Sequence, residues 1–230
     1  MAQTWTGRES GKSSREREIV SWVARLGAVS VEQIGRRFEI GRSVAYEQVK
    51  RLIEFGLLER TQTAIGDPTL ISATRGGITY AGLGLKRPAI RIGEVDHWLT
   101  TADVAIDLER RFGADRLLTE RALRFDAKLT GRPTGAGKLG ETLNGYARLH
   151  WPDLAVRTDE GLVVYEVELT PKSQKRLEAI VRAWRRAREI ERCVYLCPPS
   201  SPTQQVVHQA IRATCSEERV RVAELRRVPK

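Results

Sequence analysis

Cysteine is scarce: Cys193, Cys197 and Cys215 are an odd set, with no second pair and no histidine cluster beside them. That count and spacing speak against a disulfide framework and against a zinc site, and fit a reduced, cytoplasmic protein. Apolar runs long enough to cross a bilayer are missing, and the first 17 residues are polar, so neither a membrane span nor a secretory leader is expected. Histidines number three (His97, His150 and His208) and are scattered. His150 is read as a local hydrogen-bonding residue rather than a general base. An acidic excess is lacking too: 39 Lys and Arg against 29 Asp and Glu leave a net charge of +10. The basic residues are spread along the whole chain instead of gathering in one tail. That favours nucleic acid over a membrane-surface tether as partner.

The 230 residues are enough for two modest cores. In the first half, Ile19, Trp22, Val23 and Leu26 recur at helical spacing and Gly27 ends the run. Ser30 and Gln33 form a capping-box pair ahead of a second helix through Phe38. A turn at Glu39-Ile-Gly41 leads to a third helix, Ser43 to Phe55, with Ala45, Val49, Leu52 and Ile53 on its inner side. Two strands follow, Leu57–Thr63 and Thr69–Ser72, with a turn at Ala64–Pro68 and then a short helix from Thr74. Three helices with a tight turn before the last outline a helix-turn-helix, and the hairpin makes it winged. Such a module places its third helix in the major groove of duplex DNA. Arg42, Ser43, Tyr46, Glu47 and Lys50 lie on or near the face that would meet DNA, and Gln48 could read adenine. Arg60 and Gln62 would reach phosphate or minor groove from the wing. Protein contacts by the same fold, with these charges merely solvated, are the competing account.

Lys86–Arg91 carries Pro88 between polar flanks and reads as a linker. Expected boundaries are a flexible start over 1–14, a DNA-binding domain over 15–85, a linker over 86–95 and a second domain over 96–230. The second domain should open with a helix from Asp96 to Phe112, closed by Gly113. Leu117–Phe125 reads as a strand, and Thr130–Gly145 as a mobile loop. Within that loop Arg132-Pro-Thr-Gly-Ala-Gly-Lys-Leu139 imitates a phosphate loop. It lacks the first glycine and the hydroxyl residue after the lysine, so no nucleotide cofactor is expected. Strands at Leu154 and Val163, a basic helix over Lys172–Arg188, a strand at Cys193–Cys197, a helix over Thr203–Thr214 and a last strand at Val220 complete the α/β order. The arginines of Arg182-Ala-Trp-Arg-Arg-Ala-Arg188 fit a phosphate-facing surface and a solvated helix face equally well.

Chemistry concentrates at Pro152-Asp153 and at Glu166-Val-Glu168, with Lys172 just beyond. Glu166 and Glu168 are two apart on one strand and share a face. With Asp153 from the neighbouring strand they would make an oxygen-rich site suited to Mg²⁺. This pattern resembles the PD-(D/E)xK nuclease superfamily. The resemblance implies that Asp153, Glu166 and Glu168 hold metal, with Glu168 standing where the superfamily has lysine and Lys172 as the substitute that positions water. Both halves together resemble the replication-relaxation family of plasmids, phages and integrative elements. The pieces are the winged helix, His97-Trp-Leu-Thr-Thr-Ala-Asp-Val-Ala-Ile-Asp107, and the block from Pro152 to Glu168. The fold class implied is α+β: an N-terminal winged helix-turn-helix followed by an α/β PD-(D/E)xK nuclease-like domain. The function implied is a sequence-specific, double-stranded DNA-binding regulator of a mobile element, a repressor or replication control protein that needs no cofactor to bind. In that account the second domain is a further DNA contact or a homodimer surface. The alternative is a Mg²⁺-dependent endonuclease targeted by the winged helix.

Overall fold

Ile19, Trp22, Val23 and Leu26 become the buried stripe of helix α1, Ser10–Leu26, in the computed structural model, which describes residues 10–62 and 68–225. The architecture is mixed α+β, and the chain divides into two units between Trp98 and Leu99. Among the described residues no helix is long and apolar enough to cross a membrane.

In the first unit, α1 is followed by β1 (Ala28–Val29), α2 (Val31–Phe38), α3 (Arg42–Glu54), β2 (Leu58–Thr61), β3 (Leu70–Ala73) and α4 (Arg75–Tyr80). The capping box forms: Ser30 N–H donates to Gln33 Oε1 at 2.9 Å, and Gln33 N–H to Ser30 Oγ at 3.2 Å. A cap of this kind stabilises a helix by about 1 kcal/mol. The three strands form an antiparallel sheet in the order β1-β3-β2, with Leu58 opposite Ala73 and Thr61 opposite Leu70. Ile19, Val23, Ile34, Val49, Leu52, Leu58, Leu70 and Ile71 are buried in the core of this unit. The expected turn at Ala64–Pro68 falls, except for Pro68, outside the described residues.

Two expected boundaries change. Helix α1 begins at Ser10, inside the stretch 1–14 expected as a flexible start. Arg15 donates to the carbonyl of Phe38 at 2.7 Å and Glu16 pairs with Arg51 at 2.6 Å, which ties the beginning of α1 to residues far along the chain. The segment expected as a linker is also committed. Arg87 grips the Glu59 carboxylate of β2 with Nε at 2.8 Å and Nη2 at 2.5 Å, and Ser72 Oγ donates to the same carboxylate at 3.1 Å. Residues 92–94 then make a single 3₁₀ turn. A fragment of residues 10–91 is therefore expected to fold, and to melt at a higher temperature than one ending at Leu85. Equal melting by circular dichroism would show that the Arg87 clamp contributes nothing, as many exposed ion pairs do.

The second unit continues α5 (Val95–Phe112), which spans the division, into β4 (Leu117–Thr119), α6 (Glu120–Thr130), β5 (Gly137–Glu141) and β6 (Ala147–His150). Then come β7 (Leu154–Arg157), β8 (Leu162–Val167), α7 (Gln174–Arg186), β9 (Ile190–Cys197), α8 (Pro202–Ala213) and β10 (Val220–Glu224). The main sheet runs β10-β9-β8-β7-β4, with β8, β9 and β10 parallel and β7 and β4 antiparallel. Parallel neighbours require crossovers, and α7 and α8 supply them. Leu177, Ile180, Val181 and Trp184 of α7 pack with Val207, Ala210 and Ile211 of α8 over Val164, Cys193, Tyr195 and Cys197 of the sheet.

Leu117–Phe125 is not one strand. Thr119 accepts from Ala122 N–H at 3.3 Å, so the strand stops there and α6 begins. A short apolar run fits either period, and the cap decides. Thr130–Gly145 is not a loop either, because its second half is β5 and the turn of a hairpin with β6. Cys215 lies just past the end of α8.

Candidate functional site

Helix α3 turns Ala45, Val49 and Leu52 into the core, and this leaves Arg42, Ser43, Tyr46, Glu47 and Lys50 exposed together on its other side. Glu32 of α2 organises the start of that face. Its carboxylate accepts from the Tyr46 hydroxyl at 3.0 Å and pairs with Arg42 at 3.7 Å, while the Arg42 guanidinium lies 5.6 Å from the centre of the Tyr46 ring. Partial burial works to raise the Glu32 pKa. Hydrogen bonds from its own backbone, Tyr46 and Ser30, with the charge of Arg42, outweigh it and hold Glu32 below the usual carboxylate range. Gln48 does not join this face, because its side-chain oxygen is buried. Val44 does, half exposed, and its apolar character hid it. Arg60 on β2 and Gln62 just beyond it are exposed.

In the second unit, Asp153, Glu166, Glu168 and Lys172 do come close to one another, on the buried side of the sheet beneath α7. Leu154 pairs with Tyr165, so Asp153 arrives beside Glu166. Its Oδ2 accepts the Val167 N–H at 2.7 Å, which pins the entry to β7 against the end of β8. Glu166 and Glu168 are almost wholly buried. Lys172 Nζ donates to Glu168, and His150 Nε2 lies 2.8 Å from Glu166 Oε1. His150 also packs against the Trp184 ring, 5.4 Å between centres. Burial works to lower the His150 pKa, but the Glu166 charge and hydrogen bond outweigh it and raise the value. Burial raises Glu166, an effect His150 offsets only in part. Tyr195, opposite Glu166 on β9, is pushed well above its usual range by burial and by Glu166, and Cys193 by burial and Glu166 likewise. Both stay protonated and inert.

The expected three-carboxylate metal set is not what forms. Glu168 is spent on Lys172, Glu166 on His150, and one oxygen of Asp153 on a backbone amide. Among the described residues no three His, Cys, Asp or Glu side chains are placed to share a cation. As arranged, these residues do not fit a resident Mg²⁺. Instead Glu168 is paired with Lys172, Glu166 with His150, and Asp153 accepts a hydrogen bond from the Val167 amide. His150 was visible in the sequence only as a neighbour of Pro152-Asp153. Its pairing with a residue 16 positions away has no local signature. Of the basic run on α7, Arg182 pairs with Glu178 at 2.8 Å and Arg185 donates to the Thr214 carbonyl at 2.6 Å, so two of its arginines have structural duties.

No family model and no curated protein matches this chain. Among solved structures, a point mutant of ZitR from Lactococcus lactis is similar at 16% identity, over 57% of this chain and 80% of that one, with a TM-score of 0.28. A second ZitR mutant, in complex with DNA, matches at 16% identity over 56% and 83%, with a TM-score of 0.29. Similarity at that level fixes neither fold nor function.

Proposed function

We propose that this chain is a double-stranded DNA-binding regulator, a repressor or replication control protein of a mobile element, whose first unit is a winged helix-turn-helix. The observation that carries the proposal is the outer face of α3, where Arg42, Ser43, Tyr46, Glu47 and Lys50 stand exposed together with Arg42 and Tyr46 held by Glu32. Arginine presented in this way suits guanine in the major groove, and lysine suits phosphate. The net charge of +10 supports a polyanionic partner. The pairing of Glu168 with Lys172 and of Glu166 with His150 supports a second unit that contributes structure and contacts rather than cleavage.

Duplex binding is expected to weaken steeply with salt, since each phosphate contact adds roughly 0.9 to the log–log slope. Arg42→Glu and Lys50→Glu should each weaken binding by about tenfold or more, with Lys230→Glu near wild type, as read by fluorescence anisotropy. An affinity that is flat from low to high salt would sink the proposal. Nicking of supercoiled plasmid with Mg²⁺ or Mn²⁺ that disappears in Asp153→Ala would replace the regulator with an endonuclease targeted by its winged helix.

A further inference from the structure

Large apolar side chains left in solvent are few in the second unit, and they gather in one stretch. Among its described residues they are Leu129, in the last turn of α6, and Leu143 and Tyr146 at the tip of the β5–β6 hairpin. Leu143 is fully exposed and Tyr146 73% exposed. The tip is closed by hydrogen bonds and is not loose. Thr142 N–H donates to the Tyr146 carbonyl at 2.7 Å, Gly145 N–H to the Thr142 carbonyl at 3.0 Å, and Tyr146 N–H to Thr142 Oγ1 at 3.1 Å. Gly145 sits at φ 77, a left-handed position that lets so short a turn close. The root is equally fixed. A side chain at Gly137 would press on Ala183 and the Trp184 ring of α7, Leu139 and Leu149 pack against the core, and His150 is held by Glu166. The hairpin is therefore an anchored arm that holds two apolar residues out in water.

Its charge identifies what it meets. Between Gly131 and Pro152 the chain has Arg132, Lys138 and Arg148 against one acid, Glu141. All three cations are exposed, and Glu141 is paired with Lys138 at 2.8 Å. We propose that this hairpin, with the α6–β5 connection that leads into it, is a second contact on duplex DNA, with Arg132 of the connection and Arg148 of β6 on phosphates and Leu143 and Tyr146 against base edges. The major groove admits a two-stranded ribbon, and thymine methyls offer an apolar surface to a leucine. A second copy of the chain is the poorer occupant, because two hairpins of like charge would have to meet. The proposal rests on the DNA-binding reading given above and adds a separate surface to it.

The test uses the full chain and a fluorescent 40-base-pair duplex, with salt titrated for four proteins: wild type, Arg132→Ala/Arg148→Ala, Leu143→Ser/Tyr146→Ser and Arg42→Ala/Lys50→Ala. The arginine variant should lower the log–log salt slope by about 2, the value for two lost phosphate contacts. The tip variant should weaken binding by about tenfold, in the range for lost base-edge contacts, with the slope unchanged. Both should melt like wild type, since the altered side chains are exposed. Hairpin variants that bind like wild type, while the α3 variant loses binding, would overturn the hairpin and leave α3 standing. Loss in the hairpin variants with a normal α3 variant would uphold the hairpin and overturn the α3 reading. A wild type that sediments as a dimer and a tip variant that sediments as a monomer with unchanged DNA affinity would make the tip a self-association surface, and the proposal would fall.

Discussion

Gly77→Ala is expected to unfold the first unit, while Gly76→Ala, one residue away in the same helix, is expected to be harmless. Thr74 caps α4 by accepting from Gly77 N–H at 3.0 Å, and donates its own hydroxyl to the Gly56 carbonyl at 2.6 Å and its N–H to the Leu57 carbonyl at 3.1 Å. These bonds press the first turn of α4 onto the Gly56-Leu57 corner that joins α3 to β2. A Cβ on Gly77 would fall inside van der Waals contact with the Leu57 carbonyl oxygen, 2.9 Å from its carbon and 3.2 Å from its Cα. All three are backbone atoms, so no side chain can rotate to make room. Overpacking a core commonly costs about 1–3 kcal/mol. The effect here should lie at or above that upper end, because α4 must lift and carry the buried Ile78 with it. At Gly76 the nearest atoms lie 3.6 Å from the added carbon, an ordinary contact. There alanine should gain up to about 1 kcal/mol of helix propensity. Denaturant melts of residues 10–91 carrying each substitution measure both effects. If the two variants are equally stable, the close packing of α4 on Leu57 is wrong.

The same contrast shows what the sequence made legible. Signals that act within a few residues were readable: the Ser30–Gln33 box, the glycine-closed helix ends, the period of α3, and the alternation that puts Glu166 and Glu168 on one face. Features that depend on distant partners were not. Arg87 looks like linker until Glu59 is found beside it, 28 positions earlier. The β5–β6 hairpin was hidden because its three glycines, Gly137, Gly140 and Gly145, read as loop, while only Leu139 and Leu149 of its strands pack against the core. Asp153, Glu166, Glu168 and Lys172 do lie near one another, but the contact of His150 with Glu166 has no counterpart in the sequence pattern. Lys172 is four residues from Glu168, within reach of a local pattern, whereas His150, on β6 of the separate hairpin, meets Glu166 of β8 only once the hairpin packs on the main sheet.

Removing His150 is expected to destabilise the second unit strongly and with a particular dependence on pH. His150→Ala leaves Glu166, whose side chain is 5% exposed, without its cation. Breaking a buried pair from one side costs about 3–5 kcal/mol, and the lower end applies because the His150 side chain is itself 20% exposed. In the wild type both groups have raised pKa values. A raised value means that the folded state holds its proton longer than the unfolded chain does. That stability is present at low pH and is lost as pH climbs through the folded value. For His150 the loss starts near its ordinary value of about 6.5. In His150→Ala the burial of Glu166 and the nearby Asp153 charge still raise its pKa, with Lys172 opposing them, so the loss starts near the ordinary carboxylate value of about 4.3. The gap between wild type and variant should therefore widen as pH rises from about 4 toward neutrality. Adding Glu166→Gln to His150→Ala removes the buried charge, and should restore part of the stability and abolish the widening. Denaturant melts of the full chain at several pH values, read through the second unit's tryptophans, supply the measurement. A gap that stays constant with pH, or a double variant no more stable than His150→Ala, would show that Glu166 does not depend on His150.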